Sequence, residues 1–225
     1  MEIDRKVIGY KNTAGAQNKI IIAKAMINYF IDENTKILEA YAGTGGMTEL
    51  YNIKTNDITC IELEEEKFKI LKERFPKLKL YHNDNILILK ELISGEKKYD
   101  IIDLDPYGGC PQQIQLASKL IDNGMLIITT GEFNYVRRFG HIPKIYQELG
   151  YKIETWKDFN DVLHDFIKKR FNNANLLFQY NFNKISRIVY SIGQVNAEKI
   201  QSFKRDIQFI NSDFTFEKRK QKTLF

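Results

Sequence analysis

The sequence predicts an α/β fold: a doubly wound, mostly parallel sheet of seven strands with helices on both faces, as a single domain with a basic C-terminal tail. Three observations predict it. Short apolar runs alternate with segments of helical periodicity through residues 17–156. A glycine-rich turn directly follows the first run, and acidic residues stand at or just past the ends of the runs after it.

Residues 17–31 place Ile20, Ile21, Ala23, Ile27 and Phe30 at helical spacing and predict a helix. A short strand follows over 36–40, and the turn Gly43-Thr44-Gly45-Gly46 opens a helix over 47–54. Ile58, Cys60 and Ile61 mark a second strand, 57–63, ahead of a charged amphipathic helix, 64–75, stopped by Pro76. Strand 78–82, helix 86–93 (ended by Ser94-Gly95) and strand 99–104 repeat the alternation. Next come helix 112–120, the Asn123-Gly124 turn, strand 125–130, helix 142–149 capped by Gly150, and strand 151–156.

The last third is less periodic. It predicts a helix over 161–171, an aromatic and asparagine-rich stretch over 171–183 with no strand of its own, and a seventh strand over 185–192. With no internal repeat and no proline- or serine-rich linker, residues 1–195 read as one domain and 196–225 as a basic, aromatic extension.

Composition narrows the function classes. The 225 residues are 43% hydrophobic and 28% charged, which suits one sizeable core and excludes general disorder. Lys and Arg total 34 against 29 Asp and Glu, a net charge of +5 that leans towards a polyanionic partner. Cys60 and Cys110 form no CxxC or Cys/His array, and His82, His141 and His164 have no ligand spacing, so neither a disulfide framework nor a metal is expected. Residues 1–6 lack the apolar core of a signal peptide. The apolar stretch 20–31 is broken by Lys24 and Asn28 and is too short to span a bilayer, so a cytoplasmic protein without membrane contact is expected.

Two segments carry chemistry. The first is Leu38-Glu39-Ala40-Tyr41-Ala42-Gly43-Thr44-Gly45, a strand running into a glycine loop, where the missing Cβ allows tight turning and close approach to a ligand. Its GxGG spacing differs from the GxGxxG of dinucleotide sites. Glu62, at the end of the second strand with Leu63 beside it, stands where a carboxylate holds ribose hydroxyls. Asp84, just past the third strand with Asn85 beside it, suits the amino edge of an adenine.

The second segment, Asp103-Leu104-Asp105-Pro106-Tyr107-Gly108, ends the fourth strand. Asp105 and the Pro106 carbonyl offer two acceptors for the N–H bonds of an exocyclic amine on a planar base, and Tyr107 offers a ring for stacking. Alternation puts Asp103 on the same side as Asp105 but further back. Arg137 and Arg138, near the end of the fifth strand, fall on the same rim, where they can meet phosphate.

These residues resemble the class I S-adenosylmethionine-dependent methyltransferases over roughly residues 15–156. Glu39 and the Ala42–Gly45 loop match that family's first motif, Glu62 its ribose acid and Asp84 its adenine-edge acid. The resemblance implies a Rossmann-like methyltransferase fold with S-adenosylmethionine across the carboxyl ends of the strands, contacted by Glu39, Tyr41, Ala42, Gly43, Gly45, Glu62, Leu63, Asp84, Asn85 and Asp103, its sulfonium near Asp105.

The Asp-Pro-Tyr-Gly segment is similar to that of the tRNA guanine N2-dimethyltransferases, and Asn18-Lys19 stands where those enzymes have Asn-Arg-Asp. The reading that follows is methyl transfer to an exocyclic amino nitrogen of a nucleobase, RNA favoured, with Asp105, Pro106 and Tyr107 as catalytic residues. Its alternatives are a DNA adenine-N6 or cytosine-N4 methyltransferase, which has Asp-Pro-Pro-aromatic instead, a methyltransferase of small amines or protein side chains, and an inactive nucleic-acid-binding subunit.

Overall fold

The computed structural model describes residues 14–106, 108–182 and 185–208. Among these, seven strands form one sheet in the order β3-β2-β1-β4-β5-β7-β6. The strands are β1 (Ile37–Glu39), β2 (Ile58–Glu62), β3 (Lys79–His82), β4 (Ile101–Leu104), β5 (Gly124–Thr130), β6 (Asn175–Phe182) and β7 (Ile185–Ile192). β1 to β5 run parallel, and β7 lies antiparallel between β5 and β6. The strand order reverses between β1 and β4, which opens a crevice at their carboxyl ends.

Every residue of β1, β2 and β4 is buried, as expected for parallel strands covered on both faces. Alternate side chains go to opposite layers. Leu38, Ile102, Leu104, Leu126 and Ile128 pack against one helical layer: α4 (Asn85–Ser94), α5 (Pro111–Ala117), α6 (Glu132–Phe139), α7 (Lys144–Glu148) and α8 (Phe159–Lys168). Ile37, Ile58, Cys60, Ile101, Met125 and Ile127 pack against the other: α1 (Ala14–Tyr29), α2 (Gly46–Tyr51), α3 (Glu65–Arg74) and a last helix, α9, over 197–208.

The elements before residue 131 agree with the sequence pattern to within a few residues, but three later features differ. Residues 151–156 are not a strand. Thr155 and Asp158 form a reciprocal capping box that starts a 3-10 turn, Trp156–Asp158, leading directly into α8. The edge of β5 is already taken by β7, paired from Gly124↔Ile192 to Thr130↔Ser186.

The missing strand is β6, inside the aromatic and asparagine-rich stretch. A register shift between Leu176 and Phe178 interrupts its two-residue alternation, so both faces carry apolar groups and the pattern is lost in the sequence. Finally, α6 was not expected. It begins after Gly131 and stops at Gly140, whose φ of 73° closes the helix in the left-handed region.

α9 occupies the first part of the segment read as an extension. Phe203 and Ile207 are buried in the second core, Phe203 meets Phe30 edge-on at 5.5 Å, and the Tyr29 hydroxyl donates to Asp206 at 2.6 Å. Replacing Phe203 with Ala is expected to destabilise the domain by about 3–5 kcal/mol in urea unfolding. A loss under about 1 kcal/mol, within the usual range for surface changes, would mean that α9 is not part of the cooperative unit.

Candidate functional site

A cleft of about 500 Å³, within the usual range of small-molecule sites, lies at the carboxyl ends of the parallel strands. Its wall includes Glu39, Tyr41, Ala42, Gly43, Glu62, Leu63, Asp84, Asn85, Asp105 and Pro106. Residues from the ends of four strands thus meet in one hollow. Tyr107 lies outside the described residues.

On the glycine-loop side, Gly43 has φ +58° and nothing within 4 Å of where a Cβ would stand, so its backbone is open to an approaching ligand. Its N–H donates to Glu62 Oε2 at 2.7 Å, and the Glu64 N–H donates to Glu62 Oε1 at 2.8 Å. Two backbone bonds fix the Glu62 carboxylate and leave acceptor capacity for a pair of hydroxyls. Asp84 caps α4 through Oδ1, which accepts from the Ile86 and Leu87 N–H groups. Leu63 is exposed on the same wall, a flat apolar surface beside the two acids. A glycine open to the ligand, a fixed diol acceptor and a capped acid together fit a nucleoside cofactor such as S-adenosylmethionine.

Gly45 belongs to packing rather than to the cleft. Its φ is +84°, and a Cβ there would stand 2.5 Å from the Phe75 ring, so its backbone lies against α3 and does not wall the cavity. Glu39 is buried and accepts from the Thr48 hydroxyl at 2.6 Å. Burial pushes its pKa well up, only partly offset by that hydrogen bond, and the nearby Asp103 and Asp105 charges push the same way. Tyr41 is also pushed far up by burial, with the Asn85 amide offsetting it only in part.

Asp103, expected among the cofactor contacts, does not line the cleft. Its side chain is 1% exposed and accepts two hydrogen bonds from Arg187, Nη2 to Oδ2 at 2.7 Å and Nη1 to Oδ1 at 3.1 Å. The Tyr51 hydroxyl donates to the same Oδ2 at 2.7 Å. This bidentate pairing consumes the carboxylate in holding β4, β7 and α2 together.

Asp105 behaves differently. It reaches the cleft wall, pairs with the Lys19 ammonium of α1 and stands 4.0 Å from Arg187. Burial works against its ionisation, but Arg187 and Lys19 outweigh it and hold the carboxyl below its ordinary range. The Lys19 ammonium sits on Asp105 Oδ2, so that oxygen already binds an N–H donor inside the cleft.

Sequence reasoning missed Arg187 as a functional residue. The available signal was the single charge in an otherwise uncharged strand, Ile185–Ile192. Arg187 is opposite Thr129 in the β5–β7 ladder and also bonds its hydroxyl. Arg187→Met would leave Asp103 buried without its cation and is expected to cost about 3–5 kcal/mol in chemical denaturation. Adding Asp103→Asn should recover much of that loss. Strictly additive losses would show that the pair is not coupled.

Glu132 is a second residue that the sequence pattern did not single out. It lies under the loop that follows Pro106: a Cβ at Gly109 would stand 2.1 Å from the Glu132 carboxyl, and the Gly131 N–H donates to the Gly108 carbonyl at 2.9 Å. The Tyr146 hydroxyl donates to Glu132 Oε2 at 3.0 Å. Burial pushes the Glu132 pKa up to about 7, against the hydrogen bonds from Tyr146 and Thr130.

A carboxyl raised on folding binds its proton more tightly in the native state, so its contribution is complete below the unfolded value of 4.5 and is lost as pH rises through about 7. Unfolding free energies from urea titrations are expected to fall across that window by up to about 3 kcal/mol, and Glu132→Gln to flatten the fall. The same fall in the variant would rule Glu132 out as its source.

No family model matches the chain. Over 111 residues it is 33% identical to the ribosomal RNA small subunit methyltransferase A of Borrelia garinii subsp. bavariensis, a stretch covering 48% of this chain and 38% of that protein. The corresponding protein of Borreliella afzelii gives the same identity and coverage. The chain therefore spans about two fifths of the length of the curated relatives it matches.

Among solved structures, Trm1 from Pyrococcus horikoshii in complex with S-adenosyl-L-methionine superposes with a TM-score of 0.58 at 14% identity, over 90% of this chain and 61% of that one. The N-methyltransferase NodS from Bradyrhizobium japonicum superposes with a TM-score of 0.54 at 14% identity, over 85% of this chain and all of that one. The chain has the class I S-adenosylmethionine-dependent methyltransferase fold that its motifs predict. In sequence it is similar to enzymes that modify ribosomal RNA.

Among the described residues no cluster of His, Cys, Asp and Glu has the makings of a metal site, and no helix is long and apolar enough to cross a membrane.

Proposed function

We propose that this chain is an S-adenosylmethionine-dependent methyltransferase that methylates an exocyclic amino nitrogen of a base in RNA. The observation that carries the reading is the convergence of Asp105, kept anionic by Lys19 and Arg187, with Gly43, Glu62 and Asp84 in one cleft. The RNA similarity in sequence supports the substrate class, and the fold supports the cofactor.

In this reading Glu62 accepts from the ribose hydroxyls, Asp84 Oδ2 from the adenine amino group, and Leu63 packs on the adenine face. S-adenosylmethionine supplies a methyl group on a sulfonium, already activated for in-line displacement. The chain's own contribution is positioning and charge. An exocyclic amine is a poor nucleophile because its lone pair is delocalised into the ring. Asp105 and the Pro106 carbonyl accept from its two N–H bonds, favour the pyramidal nitrogen and stabilise the positive charge that develops there. As the N–C bond forms the S–C bond breaks, S-adenosylhomocysteine leaves, and the methylated nitrogen gives up its proton to water. Tyr107 stacks on a base taken out of its helix or loop.

Incubation with the cofactor and either bulk RNA or bulk DNA, followed by mass analysis of nucleosides, is expected to give an amino-methylated base from RNA. Methyl groups only in DNA or only in protein would overturn the substrate. Asp105→Ala is expected to lower transfer by about 100-fold or more while the cofactor Kd stays within about twofold. Glu62→Ala, which removes hydrogen bonds to a charged acceptor, should weaken the cofactor about 10- to 100-fold by calorimetry. Unchanged cofactor affinity in Glu62→Ala, or undiminished turnover in Asp105→Ala, would remove that residue from its role.

A further inference from the structure

Helix α6 carries an exposed aromatic cluster that the cleft chemistry does not use. Tyr135 and Phe139 are 39% and 53% exposed, one helical turn apart, with ring centroids 4.8 Å from each other. His141 joins them, 5.4 Å from Tyr135 and 6.3 Å from Phe139. Glu132 and Val136, on the adjoining side of the helix, are buried, whereas both rings stand outward. Isolated surface rings are ordinary, but a contiguous group of them marks an interaction surface.

Its charge identifies the partner. Arg138 flanks the rings in the last turn of α6 and lies over the Phe139 ring at 5.3 Å, while Arg137, two residues from each ring, projects from the far side of the helix. Arg137 donates to Asn134 at 3.2 Å, and no ion pair to either arginine is found among the described residues. The helix's one acid, Glu132, faces inward. Flat π faces beside cations without carboxylate partners suit unpaired bases on a phosphate backbone.

The position fits as well. The first residue before α6, Gly131, is hydrogen-bonded to Gly108 in the loop carrying Asp105 and Pro106. At 1.5 Å per residue the whole eight-residue helix is roughly 12 Å long, so Tyr135 and Phe139 stand within about that distance, along the helix axis, of the residue bonded to the loop.

We propose that the outward face of α6, formed by Tyr135, Phe139 and His141 with Arg138, is a docking platform for the single-stranded RNA that flanks the acceptor base. The proposal extends the RNA reading of the cleft, and it is tested by binding rather than by methyl transfer.

The probe is a fluorescently labelled single-stranded RNA oligonucleotide titrated with the full chain. Tyr135→Ala with Phe139→Ala is expected to raise its Kd about tenfold or more, while cofactor heat in calorimetry stays unchanged. Tyr135→Phe with Phe139→Tyr keeps both rings and should bind as the unsubstituted protein does. Arg138→Gln should lower the slope of log K against log salt by about 0.7, the value for one single-strand phosphate contact. The same RNA annealed into a duplex hides its bases and should bind with no dependence on the two rings.

Unchanged single-strand affinity in the double alanine variant, an equal ring dependence with duplex, or no RNA binding by the unsubstituted protein would each overturn the platform. Loss of cofactor heat in the unsubstituted protein would instead sink the methyltransferase reading, with RNA binding still measurable.

Discussion

The pairing of Arg187 with Asp103 is the constraint on which the rest of the site depends. A guanidinium 4% exposed would be untenable in the interior alone, as would a carboxylate 1% exposed, and each is satisfied by the other. The pair joins β7 to β4 across β5 and draws in Tyr51 from α2 and Thr129 from β5. Its positive charge lies 4.0 Å from Asp105, one step nearer the cleft. The buried arginine therefore does two things at once. It ties together strands far apart in sequence, and it sets the charge state of the acid that reaches the cavity.

The cleft divides its labour along the same line. On one side, backbone groups do the fixing: Gly43 and Glu64 hold Glu62, and the first turn of α4 holds Asp84. These contacts are local, depend little on salt and suit a small cofactor. On the other side, charge does the fixing, through Lys19 and Arg187 on Asp105, which suits chemistry in which positive charge appears on a nitrogen.

How much of this was legible in the sequence depends on the range of each contact. The placing of Gly43, Glu62 and Asp84 on one cleft was legible because each stands at a strand end or in the turn after it. Asp105 was legible for the same reason. The pairing of Asp103 was not legible because it depends on Arg187, a residue on the antiparallel strand whose register no local pattern reveals. Gly45 carries the same glycine signal as Gly43, but the packing of Phe75 decides that it serves α3 and not the ligand. β6 was lost because a bulge erased its alternation, and the capping box at Thr155 explains why the apolar residues before it do not form a strand.

The contact between Lys19 and Asp105 has a consequence for how an acceptor enters. The carboxylate is never bare: the resting molecule already covers it with a cationic nitrogen from its own first helix. In the proposed reading an incoming base amine is neutral and must displace an ammonium from Oδ2, so the acid alone gives it little net attraction. Preference for one acceptor over another then falls to contacts outside the hollow where the bond is made.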